Sequence, residues 1–312
     1  MKKMGIVIAS VMLTLSLAAC QGTGYGDSTT GSPSPQTANP PVISTDKPAS
    51  TAAPIVNSAS ITVISREDGS GTRGAFTELF GVLNSDKVDQ TTDKAEITNS
   101  TSVMMTSVAG NPDAIGYISL GSLGSTVKAA KIDDVEATVA NINNGSYTIS
   151  RPFNIATKEG SSALAQDFIG FIMSASGQDI IEASGYIRVV DTGEYRGAKP
   201  SGKIVIGGSS SVSPVMEKLM EGYLAINTSA DIELQTSDSS TGMNNTIDGV
   251  CDIGMASREL KASEHDAGLT DTVIAMDGIA VIVNNDSPID NLTKEQVRQI
   301  FTGEISNWSE IH

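Results

Sequence analysis

A chain of 312 residues with 36 acidic against 20 basic side chains carries a net charge of −16. That balance excludes nucleic acid and anionic lipid surfaces as partners held by net charge, and the length suits two domains of ordinary size. Two cysteines and two histidines cannot assemble a zinc or haem cluster, so no cofactor is expected. Residues 1–20 begin with Lys2 and Lys3, continue in an apolar run too short and asymmetric to span a bilayer, and close on Leu17-Ala18-Ala19-Cys20. Loss of both lysines with such a leader takes the charge from −16 to −18. Residues 21–58, built from Gly, Ser, Thr, Pro, Ala, Asn and Gln, lack the apolar surface to fold. They read as a tether reaching roughly 35 Å.

From residue 60 short β-rich runs alternate with helical patterns. "ITVIS" (61–65) predicts a strand, and "GAFTELFGVL" a helix with Phe76, Leu79, Phe80 and Leu83 on one face. "AIGYISL" (114–120) is a buried strand; "ALAQDFIGFIMSAS" and "GQDIIEASGYI" are helices, the second closed by Gly185. "KIVIGGSSSVSPVMEKLMEGYL" reads strand, turn and helix, with Ser213 as N-cap and Pro214 at the first helical position. "DIELQ" and "DIGMA" flank the helix "TGMNNTIDGV", and Cys251, just before the latter strand, is expected to be a buried small hydrophobe. "DGIAVIVN" (277–284) is a long apolar strand. "LTKEQVRQIFTG" opens with a Thr293/Gln296 capping box and stops at Gly303. The alternation predicts an α/β fold with largely parallel sheets.

Three loops share one design: a strand ends, hydroxyl residues and glycines follow, and a helix begins. They are "EDGSGTRG" (67–74), "GGSSSVSP" (207–214) and "TSDSSTGM" (236–243). The first amides of a helix lack intrahelical partners and carry its positive dipole end, while Ser and Thr add donors without charge. One such loop is often an ordinary cap. Three point to an oxyanion held mainly by neutral dipoles, with Arg66 adding a forked, charge-assisted contact. Asp68 beside the same anion is repulsive unless the ligand carries a proton to donate, as phosphate does and sulfate at neutral pH does not; an Arg66–Asp68 surface pair is the plainer alternative. No nucleophile elbow, catalytic histidine or nucleotide loop competes, so no enzyme is expected. Trp308 is assigned to packing.

These strings resemble the phosphate-binding proteins of bacterial phosphate ABC transporters, which have the type 2 periplasmic-binding fold. The matching stretches are "GSSSVSPVMEKL", "SSTGMNN", "DIGMASREL", "DGIAVIVN", "LTKEQVRQIFTGEISNWSEI", "ISREDGSGTRGAF", "NPDAIGYISLG" and "YTISRPFNIAT", covering most of 60–187 and 202–312. "LAAC" likewise resembles the lipobox of bacterial lipoproteins, which implies diacylation of Cys20 and attachment to the outer face of the cell membrane; plain secretory cleavage also uses small residues. The family resemblance implies ligand contacts from Arg66, Asp68, Ser70, Gly71 and Thr72 in one loop and from Ser210, Ser211 and Ser239 in the others. Ser257 aligns where some members place a second carboxylate, and its neighbour Arg258 is assigned to the surface.

In that family the "GSSSVSP" half normally comes first, whereas here it stands second, joined by "VVDTGEYRGAKPSG". Two readings follow: a circular permutation, or a fragment of a longer tandem. Under the first, one lobe comprises 59–123 plus 286–312 and carries the Arg66 loop. The other comprises 124–285, with crossovers near 119–123 and 283–287. The resemblance then implies an extracytoplasmic monomer that closes on inorganic phosphate, delivers it to a membrane permease, and meets the membrane through Cys20. A lipid-anchored enzyme or sensor for phosphate esters or another oxyanion is the alternative.

Overall fold

The computed structural model describes residues 59–311, so Cys20 and the 21–58 tether lie outside the described residues. The chain enters through β1 (Thr62–Arg66), whose last four residues are buried, and passes into α1 (Gly71–Leu79). This helix starts three residues earlier than its apolar pattern predicts and ends before Leu83. Ser70 is the reason: its Oγ accepts the Arg73 amide at 3.3 Å, so the Gly-Ser-Gly-Thr stretch becomes cap and first turn. β2 (Glu96–Thr98), α2 (Thr101–Ala109), β3 (Ala114–Ser119), β4 (Val127–Ala129), β5 (Lys131–Ile132) and α3 (Val139–Asn143) follow. The residues of α2, mostly hydroxyl and β-branched, are weak helix formers. Its Ser100 cap and the burial of Met104 and Val108 make it helical.

The second stretch runs β6 (Ser150–Lys158), α4 (Ala163–Ile172), α5 (Ala175–Ala183), β7 (Ile187–Arg188), β8 (Gly202–Ser209), α6 (Ser213–Ile226), β9 (Ala230–Ser237), α7 (Ser239–Ile247), β10 (Ile253–Ala256) and α8 (Ala262–Asp266). Gly185 stops α5 with φ of 84°, as expected. The N-cap of α6 is Val212, so Ser213 is already helical and its Oγ turns back to the Ser209 carbonyl. The 16-residue β11 (Leu269–Asn284) returns the chain to β12 (Asn291–Leu292) and α9 (Lys294–Thr302), whose Thr293/Gln296 capping box and Gly303 stop are both present.

The strands order as β2-β1-β3-β11-β6-β10-β8-β9. β1 is parallel to β2 and β3, and β8 is parallel to β9 and β10. The antiparallel pairs gather around β11 and β6, where the two halves join. β11 pairs with β6 from Leu269 to Gly278 and with β3 from Ile279 to Val283, so one strand serves both lobes.

Two large apolar cores flank that junction. Val127, Ala130, Ile132, Tyr147, Ile149 and Ile279–Val283 pack with Phe76, Tyr117 and Phe301 in the first; Phe153, Phe168, Tyr223 and Ile274 belong to the second. The lobe boundaries expected at 119–123 and 283–287 are therefore displaced. The chain changes core near 149–153 and again near 275–279, because β4 pairs with the Ile282–Asn284 end of β11 and draws 127–149 into the first lobe. Trp308 is buried in that core and donates from Nε1 to the Asp113 carbonyl at 3.2 Å, the packing role assigned to it. Cys251 is buried and in no disulfide. Residues 59–61 and 306–308 meet: Ser60 bridges Asn307, and the Ile61 amide donates to the Ser306 carbonyl at 2.9 Å.

Candidate oxyanion site between the lobes

Parallel strands aim their carboxyl ends one way, and ligands of open α/β sheets gather there. β1 delivers Arg66 and the α1 turn; β8, β9 and β10 deliver Ser210–Ser211, Ser239 and Ser257. The side chains meet in a continuous buried chain of hydroxyls. Thr72 Oγ1 lies 2.8 Å from Ser211 Oγ and 3.4 Å from Ser257 Oγ; Ser209 Oγ donates to Ser257 Oγ at 2.9 Å; the Ser257 amide donates to Ser239 Oγ at 3.1 Å. Thr101 Oγ1, at the first position of α2, joins Ser211 at 3.3 Å. The N-termini of α1, α2 and α7 and the turn before α6 thus share one spot, where helix-start amides without intrahelical partners bring positive dipole ends together. Hydroxyls rotate freely between donor and acceptor, so this set can turn its protons onto an anion without carrying charge itself.

The lobes are closed on each other at this point. Arg66 Nη2 donates to Ser210 Oγ at 3.0 Å, and the Ser240 amide donates to the Gly69 carbonyl at 3.2 Å. Gly69 makes that approach with φ of 88°, and a Cβ there would sit 2.5 Å from the Asp238 carboxylate. A Cβ on Gly71 would lie 2.4 Å from Ser239 Oγ and 2.8 Å from Ser257 Oγ.

Arg66, 2% exposed, is the guanidinium of the site. Tyr117 holds its backbone: the hydroxyl accepts the Arg66 amide at 3.1 Å and shares a 2.8 Å hydrogen bond with Ser65 Oγ. Burial pushes that phenol up to about 12, so it stays neutral, and its ring stacks on Phe76 with centroids 3.9 Å apart. The guanidinium is gripped by Glu67, which accepts from Nε at 2.7 Å and from Nη2 at 2.8 Å.

Of the residues singled out in the sequence, Arg66, Thr72, Ser210, Ser211, Ser239 and Ser257 come together, Gly71 abuts them, and Ser70 caps α1. Asp68 does not join them. Its carboxylate is 99% exposed and pairs with Arg73 at 2.9 Å, and Arg73 is itself fixed to Asp89 and to the Arg66 carbonyl. Neither does it pair with Arg66, the plainer alternative. Arg258 departs from its surface assignment: it is 11% exposed and forks onto Glu264 at 2.7 and 2.9 Å, with the Glu259 carbonyl and Ser240 as further partners. Burial alone would raise the Glu264 carboxyl; Arg258 and the Lys261 amide outweigh it and hold it below its usual range.

Residues that sequence reasoning missed are Thr101, Ser209, Glu67 and the buried pair Arg151–Asp277. That pair, at 3.2 Å, joins β6 to β11 and donates from Arg151 Nη1 to the Ser257 carbonyl. The Ser-Thr-Ser run at 100–102 was a usable signal for Thr101, being one more hydroxyl turn before a helix. Among the described residues no cluster of His, Cys, Asp and Glu could hold a metal ion.

Two α/β lobes facing each other across neutral donors define a solute-binding protein. A family model described as the PBP superfamily domain matches residues 46–176 and 193–311. Phosphate-binding protein PstS 2 of Streptococcus agalactiae is 54% identical over 256 residues, 80% of this chain and 87% of that one. The crystal structure of a phosphate ABC transporter phosphate-binding protein from Streptococcus pneumoniae superposes with a TM-score of 0.65 at 44% identity, covering 81% of this chain and all of that one. PstS of Bacillus subtilis is 34% identical over 115 residues, 36% of this chain and 38% of its own. The chain belongs to the PBP superfamily and, within it, to the PstS-type phosphate-binding proteins. It is a solute-binding protein and not an enzyme.

Proposed function

We propose that the chain captures inorganic phosphate between its lobes and passes it to the membrane permease of an ABC importer. The observation that carries this is the buried hydroxyl chain with Arg66, contributed by both lobes, at a point where helix N-termini converge. An anion bridging both sets of donors favours the closed form over an open one, which couples occupancy to shape. The names of its relatives give the ligand: a tetrahedral oxyanion suits the donor set, and phosphate is the one those proteins are named for. Diacylation at Cys20 would hold a monomer of this protein on the outer face of the membrane, with 21–58 as the tether. Isothermal titration with phosphate and with sulfate tests the reading. Tight phosphate binding without turnover is expected, and failure of both anions to bind would refute it.

The same reading includes a permuted order of the halves, with the lobe carrying Ser210, Ser211 and Ser239 inserted as one continuous stretch. Two observations support it. The start and end of the described chain lie side by side at Ser60 and Asn307, and the B. subtilis relative aligns over about half the length that the S. agalactiae one does. A variant joined from 311 to 59 and opened within 192–197 is expected to fold and bind phosphate. Its failure to fold would count against a permuted order.

A further inference from the structure

We propose that Glu67, and not Asp68, is the residue that sets which oxyanions this site accepts. The proposal rests on the phosphate reading above and names the specificity determinant within it.

Arg66 presents two forks to an anion. The side-on fork, Nε with Nη2, is already filled by both oxygens of Glu67 at 2.7 and 2.8 Å. The end-on fork has Nη2 on Ser210 Oγ at 3.0 Å. An incoming tetrahedral anion therefore meets Arg66 on its end-on side, next to Ser210, with the Glu67 carboxylate alongside on the same cation. Arg66 then contributes direction and hydrogen bonds but almost no net charge, since its charge is cancelled from within the protein.

The other guanidinium groups nearby add none either. Arg151 is paired with Asp277, Arg258 with Glu264, and Arg73 with Asp68 and Asp89. The remaining cradle members, Thr72, Thr101, Ser209, Ser211, Ser239 and Ser257, are neutral hydroxyls. Among the described residues no other carboxylate hydrogen-bonds to a member of this set. An anion entering such a site is bound by dipoles and meets, beside a cation already neutralised, the carboxylate of Glu67. Each unit of ligand charge counts against it there, and a ligand hydroxyl finds acceptor lone pairs. Both effects favour an oxyanion that keeps a proton over one that does not.

The test is competitive titration of phosphate and sulfate on the full chain and three variants. Glu67→Gln keeps the shape and one of the two Arg66 contacts, its amide nitrogen being unable to accept the other, while removing the charge. It is expected to raise the sulfate-to-phosphate affinity ratio at least tenfold, whereas Asp68→Asn should move it less than twofold. Glu67→Asp, which draws the carboxylate back by one methylene, should shift the ratio in the same direction by at least threefold, and it serves if the glutamine variant does not fold. An unchanged ratio in the Glu67 variants, even with both anions bound more tightly, would overturn the proposal. So would a shift produced by Asp68→Asn. A wild-type chain that binds neither anion would instead remove the phosphate reading itself.

Discussion

Gly71 separates folding from binding. It sits at the first position of α1 and needs no positive φ, so alanine suits the helix there and gains up to about 1 kcal/mol over glycine in helix propensity. In the closed form, however, the new Cβ would stand 2.4 Å from Ser239 Oγ and 2.8 Å from Ser257 Oγ, against the roughly 3.4 Å of an ordinary contact. Both serines are buried and tied to one another, so they cannot swing clear. The lobes must part by about 1 Å, which stretches the cross-lobe bonds Arg66–Ser210, Thr72–Ser211 and Ser240–Gly69. At about 0.5–1.5 kcal/mol each, their loss weakens ligand binding by roughly 10- to 2,000-fold. Gly71→Ala should therefore show an apo-protein urea midpoint equal to or above wild type and a phosphate affinity at least tenfold lower. Wild-type affinity in this variant would refute the claim that the two lobes close on the ligand at Gly71. A matching fall in apo stability would mean that the glycine serves the fold and not the site.

Tyr117→Phe removes the hydroxyl that partners Ser65 and the Arg66 amide; it should cost about 1–3 kcal/mol in urea unfolding and also weaken phosphate binding. Asp167 accepts from Tyr195 and Tyr223 at 2.6 Å and from the Ala198 amide at 2.8 Å, pinning the segment between β7 and β8. Asp167→Ala should speed tryptic cleavage after Arg196 at least tenfold while leaving phosphate affinity intact. The Glu264 carboxyl, held low by Arg258, contributes stability that is fully present above its unfolded value near 4.5 and is lost as the pH falls through its lower folded value. Urea midpoints measured between about pH 3 and 6 should show that acid-side loss in wild type and less of it in Glu264→Gln.

What could be read from the sequence was what is local. A strand, a hydroxyl turn and a helix start lie within a dozen residues, so the loops holding Arg66, Thr72, Ser210, Ser211 and Ser239 are legible in the sequence. The boundary between lobes was not, because it depends on which strand β11 chooses at each end, and Ile282–Asn284 pairs with Val127–Ala129 across more than 150 residues of chain. The roles of Glu67 and Asp68 were illegible for a different reason. Both carboxylates follow Arg66 in an irregular turn whose direction is set by Gly69 at φ of 88° and by Arg73, which draws Asp68 outward from the far side of the turn. Sequence spacing carries no record of that rotation. Arg151 and Asp277 belong to neither helix starts nor turns, and only the antiparallel register of β6 against β11 brings them together.

The double membership of β11 also has a mechanical side. Both ends of the described chain sit in the first lobe, and the second is reached only through β6 and returns only through β11, which lie side by side. A pull applied at Ala59 enters the first lobe directly, and only the part balanced by drag on the second lobe crosses the β6–β11 pair that joins them.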